Sequence, residues 1–579
     1  MTMEQQAIDW DMRRRKLDTA LNEAWAELTS PGADYEIQTD MVRGYPVRSF
    51  VNAPATLRDL WLDTRQFAER DYMVYQDERI TYADAHRLTA SVAAWLAACG
   101  LQPGDRVAIA MRNYPEWMLV YWACVSAGYV AVGMNAWWAS EEMRHAIADS
   151  GPKVIFCDQE RLIRLEPLRH EFPGLAIVTV RTEPIDGCLA WRDVIAFPSN
   201  WPDADIAPDD DACIFYTSGT TGYPKGAQLT HRGCSNSGKC IHFSAVVQSL
   251  ALSKVDGTAN EMGIGGVPVG LVTTPLFHVT ANNCLAYPIT MAGGTLVLMY
   301  KWDAGEALRL VAAEKITTLA GVPTMPREVL MHPDAGSYDL SSLQTLVGGG
   351  AAFPPDLVAK ITEFAIPAVP STGFGMTELS GAATANTSDF LQARPNSVGR
   401  PYPQFEVRIV DDAGQTLAAG LTGEICFRGA GVIKGYFNQP EATAEAIVEG
   451  WLHSGDIGHL DEQGFLYIDD RKKDMVLRGG ENVYCAEVEA ALYRHASVAE
   501  ACVFGVPDER LGEEVGAAIL LHPGQSTNAA MLRDHVGTLL ARHKVPRYIW
   551  ISATPLPRGA TGKFLRRDLR LMLEIDSAG

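Results

Sequence analysis

The sequence predicts an α/β fold: a large N-terminal domain of parallel α/β subdomains and a β-rich subdomain, followed by a small α+β C-terminal domain. Apolar strands alternate with amphipathic helices from Thr81 onward, a pattern typical of a parallel sheet covered by helices. Strand patterns without helices follow from about Val407. At 579 residues the chain exceeds one hydrophobic core, so two or more domains are expected.

Composition limits the classes of partner. The net charge of −21 argues against nucleic acid and against an anionic membrane surface, so any polyphosphate site must be built locally. The 11 cysteines are scattered without a C-x-x-C pair, which favours free thiols in a reducing compartment, the cytoplasm, over a disulfide framework or a zinc site. The N-terminus carries charge early and lacks an apolar h-region, so no signal peptide is expected.

The first 60 residues contain the basic run Arg13–Lys16, which we expect to be a solvated helix face. The uncharged stretch Trp117–Ser140 is long enough to span a bilayer, but its glycines favour a helix followed by a buried strand. The elements predicted here are helix Tyr82–Ala98, strand Val107–Ala110, helix Glu116–Ala127, strand Tyr129–Gly133, helix Ser140–Asp149 and strand Val154–Cys157.

A glycine- and hydroxyl-rich stretch, Tyr216–Gly226, follows the apolar strand Ala212–Tyr216. Its glycines let backbone N–H groups approach a ligand, and Lys225 adds a positive charge. This combination suits a polyphosphate, although the spacing is not that of a Walker A loop. A polar surface turn is the alternative interpretation.

Two further glycine motifs follow predicted strands. Gly348–Ala352 comes after strand Thr345–Val347 and permits the close approach of a flat ligand or of another backbone. In Ser371–Glu378, Phe374 lies between two glycines and offers an aromatic face for stacking. The same motif supplies the Thr377 hydroxyl and the Glu378 carboxylate, which suits a hard cation carried by ATP. A turn whose acid complements a helix dipole is the alternative.

The C-terminal part begins after a charged segment, Asp469–Asp474, which indicates a domain boundary. We therefore predict a large domain over residues 1–470 and a small one over residues 471–579. The predicted elements on either side are strands Val407–Val410, Glu424–Arg428 and Phe465–Ile468, a helix from Ala486, strands Glu500–Val506 and Gly516–Leu521, helix Ala529–Ala541 and strand Tyr548–Ile551.

The string Tyr216–Gly226 resembles the phosphate-binding signature of the adenylate-forming superfamily, which includes acyl-CoA synthetases, luciferases and peptide-synthetase adenylation domains. The resemblance extends roughly from Thr81 to Lys563. It implies that Thr377, Glu378 and Lys563 are catalytic and that Glu378 binds the Mg²⁺ of ATP. The ATP-binding residues that it implies are Thr217, Ser218, Gly219, Thr220, Thr221, Lys225, Gly349, Gly350, Ala351, Phe374, Asp456 and Arg471.

The resemblance also implies an acyl pocket lined by His278, Gly348 and Gly373. His278 ends the segment Pro275–His278, which matches the family's P-x-F-H pattern, although a lone histidine beside apolar residues is more often structural. The region Ser249–Gly270 shows no clear periodicity. It is either a loop that borders the substrate mouth or a surface insertion.

In the small domain, the resemblance places a hinge at Lys473 and a thioester-forming face at Arg478, Gly479 and Gly480. The domain is expected to be mobile and to present this face and the Lys563 face in turn. Cys485 stands where relatives often have proline, so the path of the preceding loop stays open.

The activity implied is ligation of a carboxylic acid to coenzyme A: ATP and the acid give acyl-AMP and pyrophosphate, and the thiol then displaces AMP. An amino acid would want a buried acid for its ammonium group, and none is assignable near His278. We therefore expect a hydrophobic acid, either a medium- or long-chain fatty acid or a bulky alicyclic or aryl acid. Transfer to a carrier protein and an inactive nucleotide-binding regulator are the alternatives, and a homodimer is left open.

Overall fold

The computed structural model describes residues 3–217, 224–257, 266–349, 361, 366–471, 474–478, 481–508, 510–559 and 564–573. Its strands are β1 Ile37–Val42, β2 Tyr45–Phe50, β3 Asp71–Tyr75, β4 Glu78–Thr81, β5 Arg106–Ala110, β6 Val130–Gly133, β7 Val154–Cys157, β8 Ala176–Thr179, β9 Leu189–Ala190, β10 Asp211–Thr217, β11 Lys225–Thr230, β12 Val269–Val272, β13 Thr295–Leu298, β14 Thr318–Gly321, β15 Thr345–Gly349, β16 Val369–Gly373, β17 Gly375–Met376, β18 Gly381–Ala382, β19 Thr384–Thr387, β20 Ser397–Pro401, β21 Phe405–Val410, β22 Gly423–Gly429, β23 Gly435–Tyr436, β24 Ile447–Val448, β25 Trp451–Leu460, β26 Leu466–Arg471, β27 Val476–Arg478, β28 Glu481–Val483, β29 Val498–Asp508, β30 Gly512–Leu521 and β31 Tyr548–Ser552.

The α-helices are α1 Met3–Thr29, α2 Leu57–Asp63, α3 Tyr82–Ala98, α4 Pro115–Ser126, α5 Ser140–Ser150, α6 Gln159–Leu165, α7 Trp191–Ile195, α8 His231–Asp256, α9 Val279–Ala281, α10 Tyr287–Met291, α11 Ala304–Glu314, α12 Thr324–Leu330, α13 Ser388–Ala393, α14 Pro440–Ala446, α15 Cys485–Tyr493, α16 Ala529–Leu539 and α17 Arg566–Met572. A π-helical turn over Asn282–Ala286 joins α9 to α10. Short 3₁₀ helices cover Thr64–Phe67, Glu166–Glu171, Ala335–Ser337, Thr377–Leu379 and Arg542–Lys544.

The chain divides into two compact units. The first unit contains Met1–Glu406 and Phe427–Leu452, and the second contains Val407–Cys426 and His453–Gly579. Much of the predicted β-rich subdomain therefore groups with the C-terminal residues. The domain boundary predicted at residue 470 stays a prediction. The hinge predicted at Lys473 also stays a prediction, because Lys473 lies outside the described residues.

The first sheet of the first unit confirms the predicted parallel α/β pattern. Its strand order is β23-β11-β10-β6-β5-β7-β8-β9, and the strands from β10 to β9 run parallel. Alternate residues of a strand face opposite sides, so Val107 and Ile109 pack into the core that contains α3 and α4. Ala108 and Ala110 pack into the core that contains α5 and α6.

The uncharged stretch after Glu116 forms helix α4 and strand β6, as the favoured interpretation predicted. Every residue of α4 is buried, which explains why the helix needs no polar face. Within the described ranges, no helix combines the length and apolarity that crossing a bilayer requires. All 11 cysteines are free thiols.

The second sheet of the first unit has the order β20-β19-β16-β15-β14-β12-β13-β3-β4. Its central strands, from β16 to β3, are parallel, and antiparallel strands lie at both ends. Helices α11 and α12 pack against it through a core that includes Leu308, Val311 and Val329. The parallel strands end at one edge of the sheet, where three of the predicted motifs lie.

The region Ser249–Gly270, predicted to be an irregular loop or a surface insertion, begins as a helix, so that prediction is wrong for its first residues. Helix α8 continues through Ser249 to Asp256 and ends at Gly257 in the left-handed region, because Ala251 and Leu252 keep its apolar face buried. Residues 258–265 of the region lie outside the described residues.

In the predicted solvated run Arg13–Lys16, Arg15 and Lys16 are exposed, and Arg13 is partly exposed and also paired. Its guanidinium pairs with Asp256 at 2.9 Å and donates to Asp389 at 2.8 Å, so α1 is tied to α8 and α13.

The second unit contains a sheet of order β28-β27-β30-β29, with β31 parallel to β30. Helices α15 and α16 cover one core, which contains Val488, Leu532 and Val536. A second core includes Phe504 and Leu569, so α17 packs on it. The predicted C-terminal strands and helices are confirmed, and β29 extends two residues beyond the prediction at each end.

Candidate functional site

The predicted phosphate loop joins two antiparallel strands of the first sheet. β10 and β11 pair so that Thr217 lies opposite Lys225, and the Thr217 hydroxyl is 3.5 Å from the Lys225 carbonyl oxygen. The loop thus begins at the carboxyl edge of the parallel strands. Ser218, Gly219, Thr220 and Thr221 lie outside the described residues, and their phosphate contacts stay predictions.

Lys225, Tyr436 and Glu378 form a connected polar group in the first unit. The Lys225 ammonium lies 5.1 Å from the centroid of the Tyr436 ring, within cation–π range. The Tyr436 hydroxyl donates to Glu378 Oε1 at 2.9 Å. Burial, followed by the charge of Glu378, raises the pKa of Tyr436 well above its ordinary value, so the hydroxyl keeps its proton and remains a donor.

Tyr436 was not predicted from the sequence. It comes from β23, which pairs with β11 through Ala227 opposite Tyr436. The pairing therefore brings the tyrosine beside the strand that carries Lys225, although the two are far apart in the chain. The local signal was weak: a glycine–tyrosine pair shortly before Pro440, which opens α14.

Thr377 and Glu378 lie on a 3₁₀ turn, Thr377–Leu379. The turn is closed by Ser380, whose N–H donates to the Thr377 carbonyl at 3.0 Å and whose φ is 56°. Glu378 is 8% exposed, and its backbone carbonyl accepts from the N–H of Ile433 at 3.1 Å. The carboxylate is thus fixed at both its backbone and its side chain.

The two glycines around Phe374 are required by close backbone approach. A Cβ at Gly373 would lie 2.4 Å from the Thr384 carbonyl oxygen, and one at Gly375 would lie 2.3 Å from the Gly381 carbonyl oxygen. The Phe374 ring stacks on Phe427 with centroids 5.7 Å apart. The segment therefore presents an aromatic ring on a backbone that tolerates no side chain beside it.

The structure brings the Gly348 motif next to Phe374. β15 and β16 are parallel, with Gly348 opposite Thr372 and Gly349 opposite Gly373. A Cβ at Gly349 would meet no atom of the described residues within 4 Å. Gly350 and Ala351 lie outside the described residues.

His278 lies at the same edge of the second sheet, six residues after β12 ends. It immediately precedes α9, and its ring lies 4.6 Å from that of Phe277. The helix that follows is continuous through the π-helical turn, and such turns occur often at functional sites. The carboxyl edge of an open parallel sheet is the usual place for a ligand, and His278, Gly348, Gly373 and Phe374 all lie at this edge.

In the second unit, Asp456 is 4% exposed and lies in β25. The antiparallel pairing of β25 with β26 puts position 471 directly opposite Asp456. This register brings the two backbone positions side by side, as a shared ribose contact by Asp456 and Arg471 would require. That shared contact stays a prediction.

Arg478 of the predicted thioester face is engaged within the second unit. Its guanidinium donates to both carboxylate oxygens of Glu514, at 2.7 and 2.8 Å, and this pairing raises the pKa of Arg478. Cys485 begins α15, and its backbone N–H donates to the Asp470 carboxylate. A proline at this position would lack that donor. Gly479 and Gly480 lie outside the described residues.

Lys563 also lies outside the described residues, but the residues on both sides of its loop are held. Arg558 and Phe564 form a β-bridge, and the guanidinium stacks 3.9 Å from the phenyl centroid. Arg558 also pairs with Glu500 at 3.0 Å. The loop that contains Lys563 is therefore closed at its base by Arg558 and Phe564.

A second anchor follows the loop at Arg566. Its guanidinium pairs with Asp474 at 2.9 Å and with Glu489 at 2.7 Å, and its Nε donates to the Val503 carbonyl at 3.1 Å. Burial opposes the charge of Arg566, yet the neighbouring carboxylates hold its pKa above the ordinary value. These contacts join the end of the lysine loop to Asp474, next to the predicted hinge.

Family comparison gives two matches along the chain. Residues 60–437 match the family described as AMP-binding enzyme, and residues 487–563 match the AMP-binding enzyme C-terminal domain. The matched segments contain the phosphate hairpin, which is formed by β10, the predicted phosphate loop and β11. They also contain Glu378, Tyr436 and the loop that bears Lys563. Residues before 60, including α1, lie outside both matches.

Individual proteins and structures agree with this assignment. The chain is 35% identical to a feruloyl-CoA synthase from an Amycolatopsis species over 491 residues, covering 85% of this chain and 93% of that protein. It is also 35% identical to the fatty acid–[acyl-carrier-protein] ligase ScoC from Streptomyces coeruleorubidus over 506 residues, covering 86% of this chain and 92% of that protein. The crystal structure of the anthranilate CoA ligase AuaEII in complex with anthranoyl-AMP has a TM-score of 0.80 and 27% identity, covering 90% of this chain and 97% of that one.

Proposed function

The chain belongs to the AMP-binding enzyme family of AMP-forming ligases, and we propose on that premise that it joins a hydrophobic carboxylic acid to coenzyme A through an acyl-AMP intermediate. The observation that carries the proposal is the partly buried hydrogen bond between Tyr436 and Glu378 beside Lys225. It combines a cation and a fixed carboxylate at the strand pair that bears the phosphate loop.

In the first step, the acid's carboxylate attacks the α-phosphorus of ATP, and pyrophosphate leaves. Lys225 and the loop hydroxyls orient the β- and γ-phosphates. Glu378 would hold the magnesium ion that accompanies ATP, and that ion would neutralise charge on the phosphates. Phe374 and Gly349 provide the adenine surface. Lys563 stabilises the negative charge that develops on the transferred phosphate.

In the second step, the thiol of coenzyme A attacks the carbonyl carbon of acyl-AMP, and AMP leaves. No covalent nucleophile of the protein is needed, because the adenylate is already activated. The protein's contribution is positioning. The Arg478–Gly480 segment serves this step, after the second unit has turned the Lys563 loop away.

We propose a hydrophobic acid because the buried, apolar Phe277 lies beside His278, with the two rings 4.6 Å apart. The aryl acid of the feruloyl-CoA synthase and the fatty acid of ScoC, the two relatives named above, support the same class. An assay with a panel of acids distinguishes fatty, alicyclic and aryl acids as substrates.

The test is pyrophosphate release by the protein with Mg-ATP and a panel of acids, followed by mass spectrometry after coenzyme A is added. We expect release with hydrophobic acids and the matching acyl-CoA thioester. Strong preference for acetate or an amino acid would contradict the substrate class. Absence of pyrophosphate with every acid would support an inactive nucleotide-binding regulator.

A carrier protein is the second candidate acceptor, because one of the relatives is an acyl-carrier-protein ligase. Under this alternative, acyl-AMP forms from acid and ATP, but free coenzyme A gives no thioester. Adding a phosphopantetheinylated carrier protein to the same reaction distinguishes the two acceptors directly.

A further inference from the structure

A short segment of the first unit, Ala430–Tyr436, fixes Glu378. The Ile433 N–H donates to the Glu378 backbone carbonyl at 3.1 Å, and the Tyr436 hydroxyl donates to its carboxylate at 2.9 Å. The segment ends in β23, which pairs with β11. We call Ala430–Tyr436 the bracing segment, because it joins the carboxylate to the strand pair that bears the phosphate loop.

The hairpin of β1 and β2 packs against the bracing segment, although it lies outside both family matches. The Ala430 N–H donates to the Arg48 carbonyl of β2 at 3.1 Å. Val42 and Val47 bury their side chains against Ala430. The hairpin therefore supports the segment that contains the partners of Glu378.

Polar contacts anchor this hairpin to α8, the helix that follows β11. The Phe50 N–H donates to Asn236 Oδ1 at 2.9 Å. The Asp40 carboxylate accepts from Arg232 at 2.8 Å and from the Ser49 hydroxyl at 2.7 Å. The hairpin is thus fixed to the same strand and helix that follow the phosphate loop.

The turn of the hairpin contains an arginine where smaller residues are favoured. Val42 pairs with Tyr45, so Arg43 and Gly44 form a two-residue turn, with φ angles of 51° and 85°. Positive φ at both positions is typical of a type I′ turn, whose first position favours asparagine, aspartate or glycine. A bulky residue in this region is strained, and strain of this kind occurs at functional sites. An arginine here requires a compensating contact.

The Arg43 guanidinium makes that contact with the bracing segment. Its Nη2 donates to the carbonyls of Val432 and Ile433, each at 3.4 Å. The Val432 carbonyl and the Ile433 N–H belong to one peptide group, and that N–H donates to Glu378. A cation at the carbonyl polarises the peptide group and strengthens the hydrogen bond of its N–H. A chain of hydrogen bonds therefore connects Arg43 to the backbone of Glu378.

We propose that Arg43 is a positioning residue for Glu378: it holds the bracing segment where Ile433 and Tyr436 fix the carboxylate for Mg-ATP. This inference rests on the proposed function, because the role of Glu378 as a magnesium ligand belongs to that proposal. It adds a residue of the N-terminal hairpin to those that shape the ATP site.

The test is Arg43→Gly, which removes the guanidinium and supplies a residue that the type I′ turn favours. The thermal midpoint should therefore not fall. Amide hydrogen exchange over residues 430–436 should nevertheless become about twofold to thirtyfold faster, the range for a change that acts through a network of contacts. The Kd for ATP, measured by calorimetry at limiting Mg²⁺ and without any acid, should rise by a similar factor.

Three controls separate positioning from general support of the fold. Arg43→Lys keeps the charge and the strained φ, so it should recover part of the loss. Arg192→Ala, at an exposed arginine of the same unit paired with Glu183, should behave as wild type. Conversion of supplied acyl-AMP and coenzyme A into acyl-CoA should be unchanged in Arg43→Gly, because that step uses no ATP.

A double variant tests whether Arg43 acts through Glu378. In a Glu378→Gln background, adding Arg43→Gly should raise the Kd for ATP no further, because the carboxylate that Arg43 positions is already gone. Independent, additive effects of the two substitutions would contradict the inference.

Wild-type exchange and wild-type ATP affinity in Arg43→Gly would also overturn the inference, and so would an equal loss in both half-reactions. If Glu378→Gln still needs more Mg²⁺ than the wild type, the proposed function survives each of these results. A wild type that releases no pyrophosphate with any acid would instead overturn the proposed function, and this inference with it.

Discussion

The two units hold their functional segments by different physical means. In the first unit, Phe374 is fixed by the close packing of the backbone on either side of it. Cβ atoms at the flanking Gly373 and Gly375 would lie 2.4 and 2.3 Å from backbone carbonyl oxygens. In the second unit, the segments around Lys563 and Arg478 are held by ion pairs, including Arg566 with Asp474 and Glu489. The first arrangement is rigid through close packing, and the second depends on charge.

This difference matches the work proposed for each unit. A nucleotide surface has to keep one geometry through both steps, which close backbone packing provides. The ion pairs of Arg566 are internal to the second unit and reach Asp474, beside the predicted hinge. A rotation about that hinge would therefore carry the lysine loop as one body. The following predictions test this contrast.

The largest effect is expected at Glu378. Glu378→Gln keeps an acceptor for the Tyr436 hydroxyl but removes the charge proposed to bind magnesium. Pyrophosphate release should fall about one-hundred- to one-thousand-fold, the cost of losing one preorganised electrostatic group. Titrating Mg²⁺ in the assay checks the cause, because the variant should need more metal than the wild type. An unchanged magnesium requirement would remove Glu378 from the metal site.

Arg566→Ala should destabilise the second unit by about 3 kcal/mol, because it leaves the Asp474 and Glu489 carboxylates without their cation. Hydrogen exchange of β29 and β30 amides measures this locally, and the first unit should be unaffected. Arg570→Ala, an exposed arginine on the same helix, is the control. Equal destabilisation by both variants would show that the Arg566 ion pairs contribute little.

Low pH should lower the stability of the first unit through His231. This histidine is fully buried, its Nδ1 accepts from the Leu57 N–H at 3.1 Å, and burial lowers its pKa to about 4. Below pH 6.5 the unfolded chain binds a proton that the folded protein refuses until about pH 4. The contribution of His231 to the free energy of unfolding is therefore fully present above pH 6.5. It is lost as the pH falls toward 4, by on the order of 3 kcal/mol in total. His231→Gln should flatten this slope in denaturation curves at pH 7 and 5. An unchanged slope would contradict the assignment.

Tyr436→Phe should have the smallest effect of the set. It removes one hydrogen bond to a charged group, worth about 1.5–3 kcal/mol, and keeps the ring beside Lys225. We expect KM for ATP or the rate of pyrophosphate release to worsen roughly tenfold to one-hundred-fold. Tyr402→Phe, at a buried tyrosine remote in sequence from the phosphate hairpin, serves as the control. Wild-type kinetics in Tyr436→Phe would leave the hydrogen bond without a functional role.

How much the sequence could predict depended on how local each feature was. Apolar runs gave the parallel strands, because a strand buried on both faces has a continuous apolar pattern. The glycines around Phe374 were recognisable because they belong to one contiguous motif, Ser371–Glu378. Tyr436 was not predicted, because its position depends on strand order and register. The ion pairs of Arg13 were not predicted, because both of its partners lie more than 240 residues away.

The central claim is that one site serves two reactions through two faces of the second unit, and separate assays of the two half-reactions test it most directly. Lys563→Ala should reduce acyl-AMP formation about one-hundred- to one-thousand-fold and still convert supplied acyl-AMP and coenzyme A into acyl-CoA. Lys473→Pro should do the reverse, because proline fixes φ at the pivot, and Gly480→Leu should also spare the first step. If Lys563→Ala and Lys473→Pro depress both half-reactions equally while the protein stays folded, the claim is contradicted.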